Sequence, residues 1–291
     1  MTMDSQVKVD AVVSNNSGAD INPNTIPIRE EDNEPIPVPV NKTDELYKMD
    51  HEKRGYALIF SHENFNSNLE LNSRPGSHKT AENLRDALIQ LKFEAEIFSD
   101  FTYEEIKTKV NDLCSREDDL RKSDCILIIV MTHGLFNDHL YSKDTHYPSN
   151  DLRLLFITKQ CPSLAGKPKL FIFQACRGNQ QDTGTKVMQS MQSIATQTDG
   201  PLSKSKNVVY RLPAHADFLT AYSTAPRHTA YRKPFIKAFC EELSSQQVIE
   251  GKIDFLSMLT NVQRKVALGL NDGGTKQIPS VTSTLTRKIF F

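Results

Sequence analysis

No stretch of this chain approaches the roughly 18 consecutive apolar residues that a membrane-spanning helix needs, and the opening MTMDSQVKVDAVV lacks the basic start and apolar run of a secretion signal. Charge of one sign is missing as well: 35 basic side chains against 36 acidic give a net charge of −1, which leaves no electrostatic footprint for nucleic acid or an anionic membrane. Cysteine is sparse and odd in number. Cys114, Cys125, Cys161, Cys176 and Cys240 form no CxxC pair, so neither a disulfide framework nor a zinc site is indicated, and a reducing, cytoplasmic setting is expected. The phosphate-cradling patterns GxGxxG and GxxxxGK[ST] are absent, which sets aside a nucleotide-binding domain. Tryptophan does not occur at all.

What is present is an ordinary globular composition, 38% hydrophobic and 24% charged, sufficient to bury a core without staples. Residues 1–50 read differently from the rest. They are polar, carry the acidic run REEDNE and hold Pro23, Pro27, Pro35, Pro37 and Pro39 without a helical or strand period. They are expected to form a disordered leader, followed by one folded domain over 51–291.

Within that domain apolar strand-like runs alternate with amphipathic segments. GYALIF and EAEIF flank a helix expected to be capped by Thr80, with Leu84, Ala87, Leu88 and Leu91 on one face. TYEEIKTKVNDLC reads as a second helix. CILIIVMT, KLFIFQA and DFLTAYST are short and rich in β-branched or aromatic residues, as buried parallel strands are. Phe235, Phe239 and Leu243 mark one later helix face, and Phe255, Leu259, Val262 and Val266 another; the tail SVTSTLTRKIFF reads as a strand. Alternation of this kind predicts an α/β fold: a doubly wound, mostly parallel central sheet flanked by helices on both faces. Between KLFIFQA and DFLTAYST, residues 179–207 are Gln/Ser/Thr/Lys-rich and predict a mobile linker.

Two of the central runs stop at reactive side chains, one at His133 and Gly134, the other at Cys176. In open parallel sheets ligands sit beyond the carboxyl ends of the strands. A thiol and an imidazole meeting there make an acyl-transfer pair, the imidazole raising the thiolate fraction and later protonating the leaving amine. Gly134 would let a substrate carbonyl approach its N–H, which with the Cys176 N–H could hold an oxyanion. Either residue alone is weak evidence, because a cysteine after an apolar strand is usually a small buried hydrophobe.

The string Gln174-Ala175-Cys176-Arg177-Gly178 adds specificity, since it matches the QACRG signature of caspases, with His133 lying 43 residues upstream. NSRPGSHKTAENL, MTHG, AGKPKLFIFQACRG, HADFLTAYSTAP and KQIPSV also resemble executioner caspases, and KDTHY and CPSLAGKPKL resemble some insect effector caspases. The resemblance runs from about Gly55 to the C-terminus. It implies an aspartate-specific cysteine endopeptidase made as a zymogen, with Cys176 as nucleophile, His133 as acid/base oriented by the Asn72 carbonyl, and Gly134 with Cys176 as oxyanion donors. Arg74, Gln174 and Arg232 would form the aspartate pocket, where guanidinium forks suit a carboxylate.

The same resemblance implies processing after Asp199, before Gly200, with Asp182, Asp10 and Asp20 as weaker candidates. The products would be a large subunit of about 40–199 and a small one of about 200–291, acting as a homodimer in apoptosis. Partners would be proteins with exposed aspartates, an upstream initiator caspase and inhibitor-of-apoptosis proteins; no metal or organic cofactor is implied. A leader this short favours an executioner over an initiator carrying its own adaptor domain. The chain departs from the family in its substrate groove. Only Lys233 and Pro234 separate Arg232 from Phe235, and LGLNDGGTKQ after Ala267 is short. Tyr231 and Thr229 stand where aromatics often line the groove, so the reading of residues preceding aspartate is expected to differ. The rival expectation is a non-proteolytic homologue that regulates a partner caspase.

Overall fold

The apolar runs become a sheet. In the computed structural model, which describes residues 36–182, 213–269 and 275–291, the elements follow in the order β1 (Lys53–Ser61), α1 (Ser77–Gln90), β2 (Phe93–Ser99), α2 (Tyr103–Cys114), α3 (Glu117–Arg121) and β3 (Ser123–Met131). Then come the hairpin β4 (His139–Tyr141) and β5 (His146–Pro148), α4 (Ser149–Leu154), β6 (Lys169–Gln174), β7 (Phe218–Tyr222), α5 (Pro234–Leu243), α6 (Gln246–Ile249), α7 (Phe255–Leu268) and β8 (Ser280–Ser283).

The main sheet has the order β2-β1-β3-β6-β7-β8. All its pairings are parallel except that of β7 with β8. The chain winds outward in both directions from the β1/β3 boundary, which is a topological switch point.

Both faces of β3 are buried, every residue from Ser123 to Met131, because helices cover the sheet on each side. Alternate residues serve alternate cores. Ile129 and Leu127 join α1, α5 and α7 on one face; Ile126, Ile128 and Val130 join α2, α3 and α4 on the other. Each fully buried isoleucine here contributes roughly 2 kcal/mol of hydrophobic stabilisation.

α2 begins with a capping box. The Thr102 hydroxyl accepts from the Glu105 N–H while the Glu105 carboxylate accepts from Thr102, satisfying donors that the first helical turn leaves orphaned. α1 is built differently from expectation. Its N-cap is Gly76 in a left-handed conformation (φ 85°), without a side-chain cap. Thr80 lies inside the first turn and donates its hydroxyl back to the Gly76 carbonyl at 3.0 Å.

The leader boundary at residue 50 needs correction for residues 36–50. Tyr47 is 4% exposed and Val40 5%; Leu46 bridges Lys288, and the Tyr47 hydroxyl donates to Asp217 at 2.6 Å. This segment straps the domain through isolated bridges and anchors, which leave no period in a sequence. The tail also differs: only Ser280–Ser283 is a strand, and beyond it Lys288 bridges Leu46 of the strap while the Ile289 carbonyl accepts from the Phe255 N–H at 2.9 Å. Of the expected linker, residues 179–182 are tied down, Gln180 bridging His228 and Asp182 bridging Lys276. The rest of it, with Asp199 and Gly200, lies outside the described residues, as do Asp10 and Asp20.

Candidate active site

Strand register brings the two reactive side chains together. Met131 at the end of β3 pairs with Gln174 at the end of β6, and the Thr132 N–H donates to the Gln174 carbonyl at 3.0 Å. Two residues further on each strand stand His133 and Cys176, at the same level and on neighbouring strands, which are spaced about 4.8 Å apart. Because side chains alternate, they leave the sheet on the side of Met131 and Ile172, the face covered by α1 and α5. The loops entering those helices deliver Arg74 and Arg232. All four residues, with Asn72 and Gln174, line one cavity of about 200 Å³.

His133 is oriented from its far side. Its Nε2 lies 2.8 Å from the Asn72 carbonyl; a carbonyl can only accept, so Nε2 carries the hydrogen and Nδ1 keeps its lone pair. The Phe65 ring packs beside the imidazole with centroids 5.1 Å apart. Burial pushes the His133 pKa below the ordinary imidazole value. The Asn72 hydrogen bond opposes that shift, and the positive charges of Arg74 and Arg232 add to it. The ring is therefore a neutral base at pH 7.

Cys176 is half-buried, and its sulfur touches the backbone of Ala230, whose N–H lies 3.3 Å from Sγ and whose carbonyl lies 3.7 Å away. Gly134 sits directly against the Cys176 segment. A Cβ there would fall 2.1 Å from the Cys176 carbonyl oxygen, so only glycine permits this approach. Gly178 repeats the device, since a Cβ would fall 2.2 Å from the Arg227 carbonyl oxygen.

Arg74 is 4% exposed, held by a 2.8 Å bond from Nη1 to the His62 carbonyl. Desolvation and the neighbouring Arg232 charge push its pKa down to about 10. Two guanidinium groups face this cavity and, among the described residues, no carboxylate lines it, so an anionic side chain would relieve their repulsion. Gln174 is also buried. Its Nε2 donates to the Tyr231 carbonyl at 3.2 Å, and its Oε1 has no hydrogen-bond partner among the described residues. Tyr231 and Thr229 do not line the cavity. The Tyr231 hydroxyl bonds Thr275, and Thr229 donates its N–H to the Gln180 carbonyl at 2.9 Å.

The Caspase domain profile matches residues 54–290. The chain belongs to the caspase family. This caspase is 39% identical over 267 residues to Caspase-1 of Spodoptera frugiperda, covering 87% of this chain and 84% of that protein. It is 39% identical to Caspase drICE of Drosophila melanogaster, covering 84% and 72%, and 37% identical to Caspase-6 of Gallus gallus, covering 84% and 83%. The crystal structure of the Spodoptera Caspase-1 superposes with a TM-score of 0.75 at 35% identity, covering 88% of this chain and 98% of that one. The caspase is a cysteine-type endopeptidase, a hydrolase, and its fold is the α/β sheet arrangement expected.

Sequence reasoning gave Arg177 no role beyond membership of the signature, and it missed Asp138. Arg177 is only 10% exposed and forms a two-pronged ion pair with Asp138, tying the Cys176 segment to the turn after His133. Asp138 sits at φ 58° in a short irregular turn, where no periodic signal exists to find it. Among the described residues, Asp50, His51 and Asp124 have metal-ligand spacing. Arg54 donates to the Asp124 carboxylate at 3.1 Å and supplies the balancing charge. The trio lies near the N-terminal ends of β1 and β3, away from the cavity. No helix in the described residues is long and apolar enough to cross a membrane.

Proposed function

We propose that this caspase hydrolyses peptide bonds after aspartate, with Cys176 as the nucleophile and His133 as its proton-transfer partner. One observation carries the reading: Cys176, His133, Arg74 and Arg232 line the same cavity. In the acylation step the Cys176 thiolate adds to the scissile carbonyl carbon while His133 Nδ1 holds the thiol's proton. The C–N bond then breaks as that proton passes to the leaving amine. Water attacks the resulting thioester, its proton going to His133, and Cys176 leaves as thiolate. The N–H groups of Gly134 and Cys176 receive the oxyanion in both steps.

Arg74, Arg232 and the Gln174 amide bind the aspartate carboxylate. Arg74 is buried and Arg232 exposed at the rim of the same cavity; two guanidinium forks so placed favour a carboxylate over its neutral amide isostere, which would leave the buried charge unpaired. Tyr231 and Thr229 contribute to the groove that reads the preceding substrate residues.

The chain acts in apoptosis, in the cytoplasm, as a homodimer of processed protomers cut between Asp199 and Gly200. An upstream initiator caspase performs that cut, and inhibitor-of-apoptosis proteins restrain the product. Its similarity to drICE and to the Spodoptera Caspase-1 supports this setting.

The test is an assay of the processed protein on paired reporter peptides ending in aspartate or asparagine. The expected result is cleavage of the aspartyl reporter at least ~100-fold faster, abolished in Cys176→Ala. Equal rates on both reporters would contradict the specificity, and undiminished activity in Cys176→Ala would contradict the mechanism.

A further inference from the structure

The KQIPSV stretch carries a buried amide that no step of the reaction uses. Gln277 is 2% exposed and stands outside the cavity lining. Its Oε1 accepts from the Tyr231 N–H at 2.7 Å, and its Nε2 donates to the Ser223 carbonyl at 2.6 Å. Those two backbone groups stand at the ends of the loop that leaves β7 and returns to the site. One side chain therefore closes the loop, donor to carbonyl and acceptor to N–H, as a ladder bond would if the strands were adjacent.

The returning end of that loop meets the site at three successive residues. The Ala230 N–H reaches Cys176 Sγ at 3.3 Å, the Tyr231 carbonyl accepts from Gln174 Nε2, and Arg232 lines the cavity. We propose that Gln277 is a positioning residue for the aspartate pocket, setting through Tyr231 the placement of Gln174 and Arg232; this rests on the aspartate-pocket reading above.

Its neighbours fix the clamp itself. Thr275 bonds the Tyr231 hydroxyl, and the Lys276 N–H donates to the Asp182 carbonyl at 2.7 Å. The role demands a primary amide of this length. Glutamate supplies an acceptor but no donor at pH 7, asparagine is one methylene short of spanning both groups, and alanine offers neither. Ser223 is fully buried, so its carbonyl finds no solvent replacement when the amide is removed, and the loop must shift to satisfy it.

The experiment uses the full chain after linker cleavage, as wild type, Gln277→Ala and Gln277→Glu. Alkylation of Cys176 is followed by peptide mass with two reagents: an aspartyl fluoromethyl ketone, which needs the pocket, and iodoacetamide, which needs only the thiol. The expected result is at least a ~10-fold fall in the aspartyl-to-iodoacetamide rate ratio for Gln277→Ala and a smaller fall for Gln277→Glu, which keeps the Tyr231 contact. Reporter KM should rise more than kcat falls. Should Gln277→Ala fail to fold, the near-isosteric Gln277→Glu carries the test.

An unchanged ratio, or equal slowing by both reagents in a folded variant, overturns the proposal. If the wild type itself reacts no faster with the aspartyl ketone than with its asparaginyl analogue, the pocket reading fails and the inference fails with it. A selective wild type with unaltered variants removes the role of Gln277 alone.

Discussion

Arg177 grips Asp138 through two parallel hydrogen bonds, Nε to Oδ1 at 2.6 Å and Nη2 to Oδ2 at 2.8 Å. The guanidinium also lies 3.9 Å from the centroid of the Tyr222 ring and donates to Ser280 Oγ at 2.9 Å. The residue following Cys176 is thereby fastened to the turn following His133, to β7 and to β8. Arg177→Ala should cost about 2 kcal/mol in urea unfolding, less than a fully buried pair because Asp138 is 38% exposed. It should also lower kcat/KM at least ~10-fold. Arg177→Lys should recover part of the stability, having a charge but no fork; full recovery of both quantities would show that the fork is irrelevant.

Gly134→Ala should lower kcat/KM by at least ~100-fold, because the added methyl would meet the Cys176 carbonyl oxygen at 2.1 Å and the Ala175 Cβ at 3.0 Å. Those contacts are with backbone and a buried neighbour, and relieving them separates the His133 and Cys176 segments. Steady-state kinetics with the aspartyl reporter, alongside circular dichroism to establish folding, decide it. Wild-type activity in a folded variant would contradict the need for this close approach.

The strands were legible because β3 and β6 are continuous apolar runs with no helical period, and their register alone sets His133 beside Cys176. Arg74, Gln174 and Arg232 were reachable only through family resemblance, since an isolated arginine reads as a solvated charge. What sequence could not reveal were contacts made by single residues: Tyr47 on Asp217, Arg177 on Asp138, Gln277 between Ser223 and Tyr231. Each joins segments far apart in the chain and repeats with no period. The hairpin β4/β5 and helices α3, α4 and α6 were missed for a related reason: at three to six residues they are too short for periodicity to register.

Arg232→Gln should change two observables at once. KM for the aspartyl reporter should rise at least ~10-fold as one fork of the pocket is lost. The acid limb of the kcat/KM profile should move to higher pH, because the Arg232 charge helps to hold the His133 pKa below its ordinary value. In the wild type that limb should lie below the unperturbed imidazole value of about 6.5. A limb unmoved by the substitution would show that the Arg232 charge does not reach His133.

His62 gives the fold an acid sensitivity. It is fully buried, both ring nitrogens lack hydrogen-bond partners among the described residues, and burial pushes its pKa from 6.5 to about 4, the Arg74 charge adding to that effect and Asp100 and Asp144 opposing it. Between those two values the unfolded chain binds a proton that the folded one refuses. Stability is therefore fully present above pH 6.5 and declines as pH falls towards 4. The whole loss from this residue is about 3 kcal/mol. Urea unfolding of His62→Leu against wild type across pH 4–7 measures it: the variant should show a shallower slope, and parallel slopes would contradict the assignment.

The most direct test of the central claim is covalent trapping of the processed protein by an aspartyl fluoromethyl ketone, read by peptide mass spectrometry. The expected result is one adduct, on Cys176, with none on Cys114, Cys125, Cys161 or Cys240, and its loss when the inhibitor's aspartate is replaced by asparagine. An adduct elsewhere, or equal labelling of Cys176 by the asparaginyl analogue, would contradict a thiol working beside a paired-guanidinium pocket.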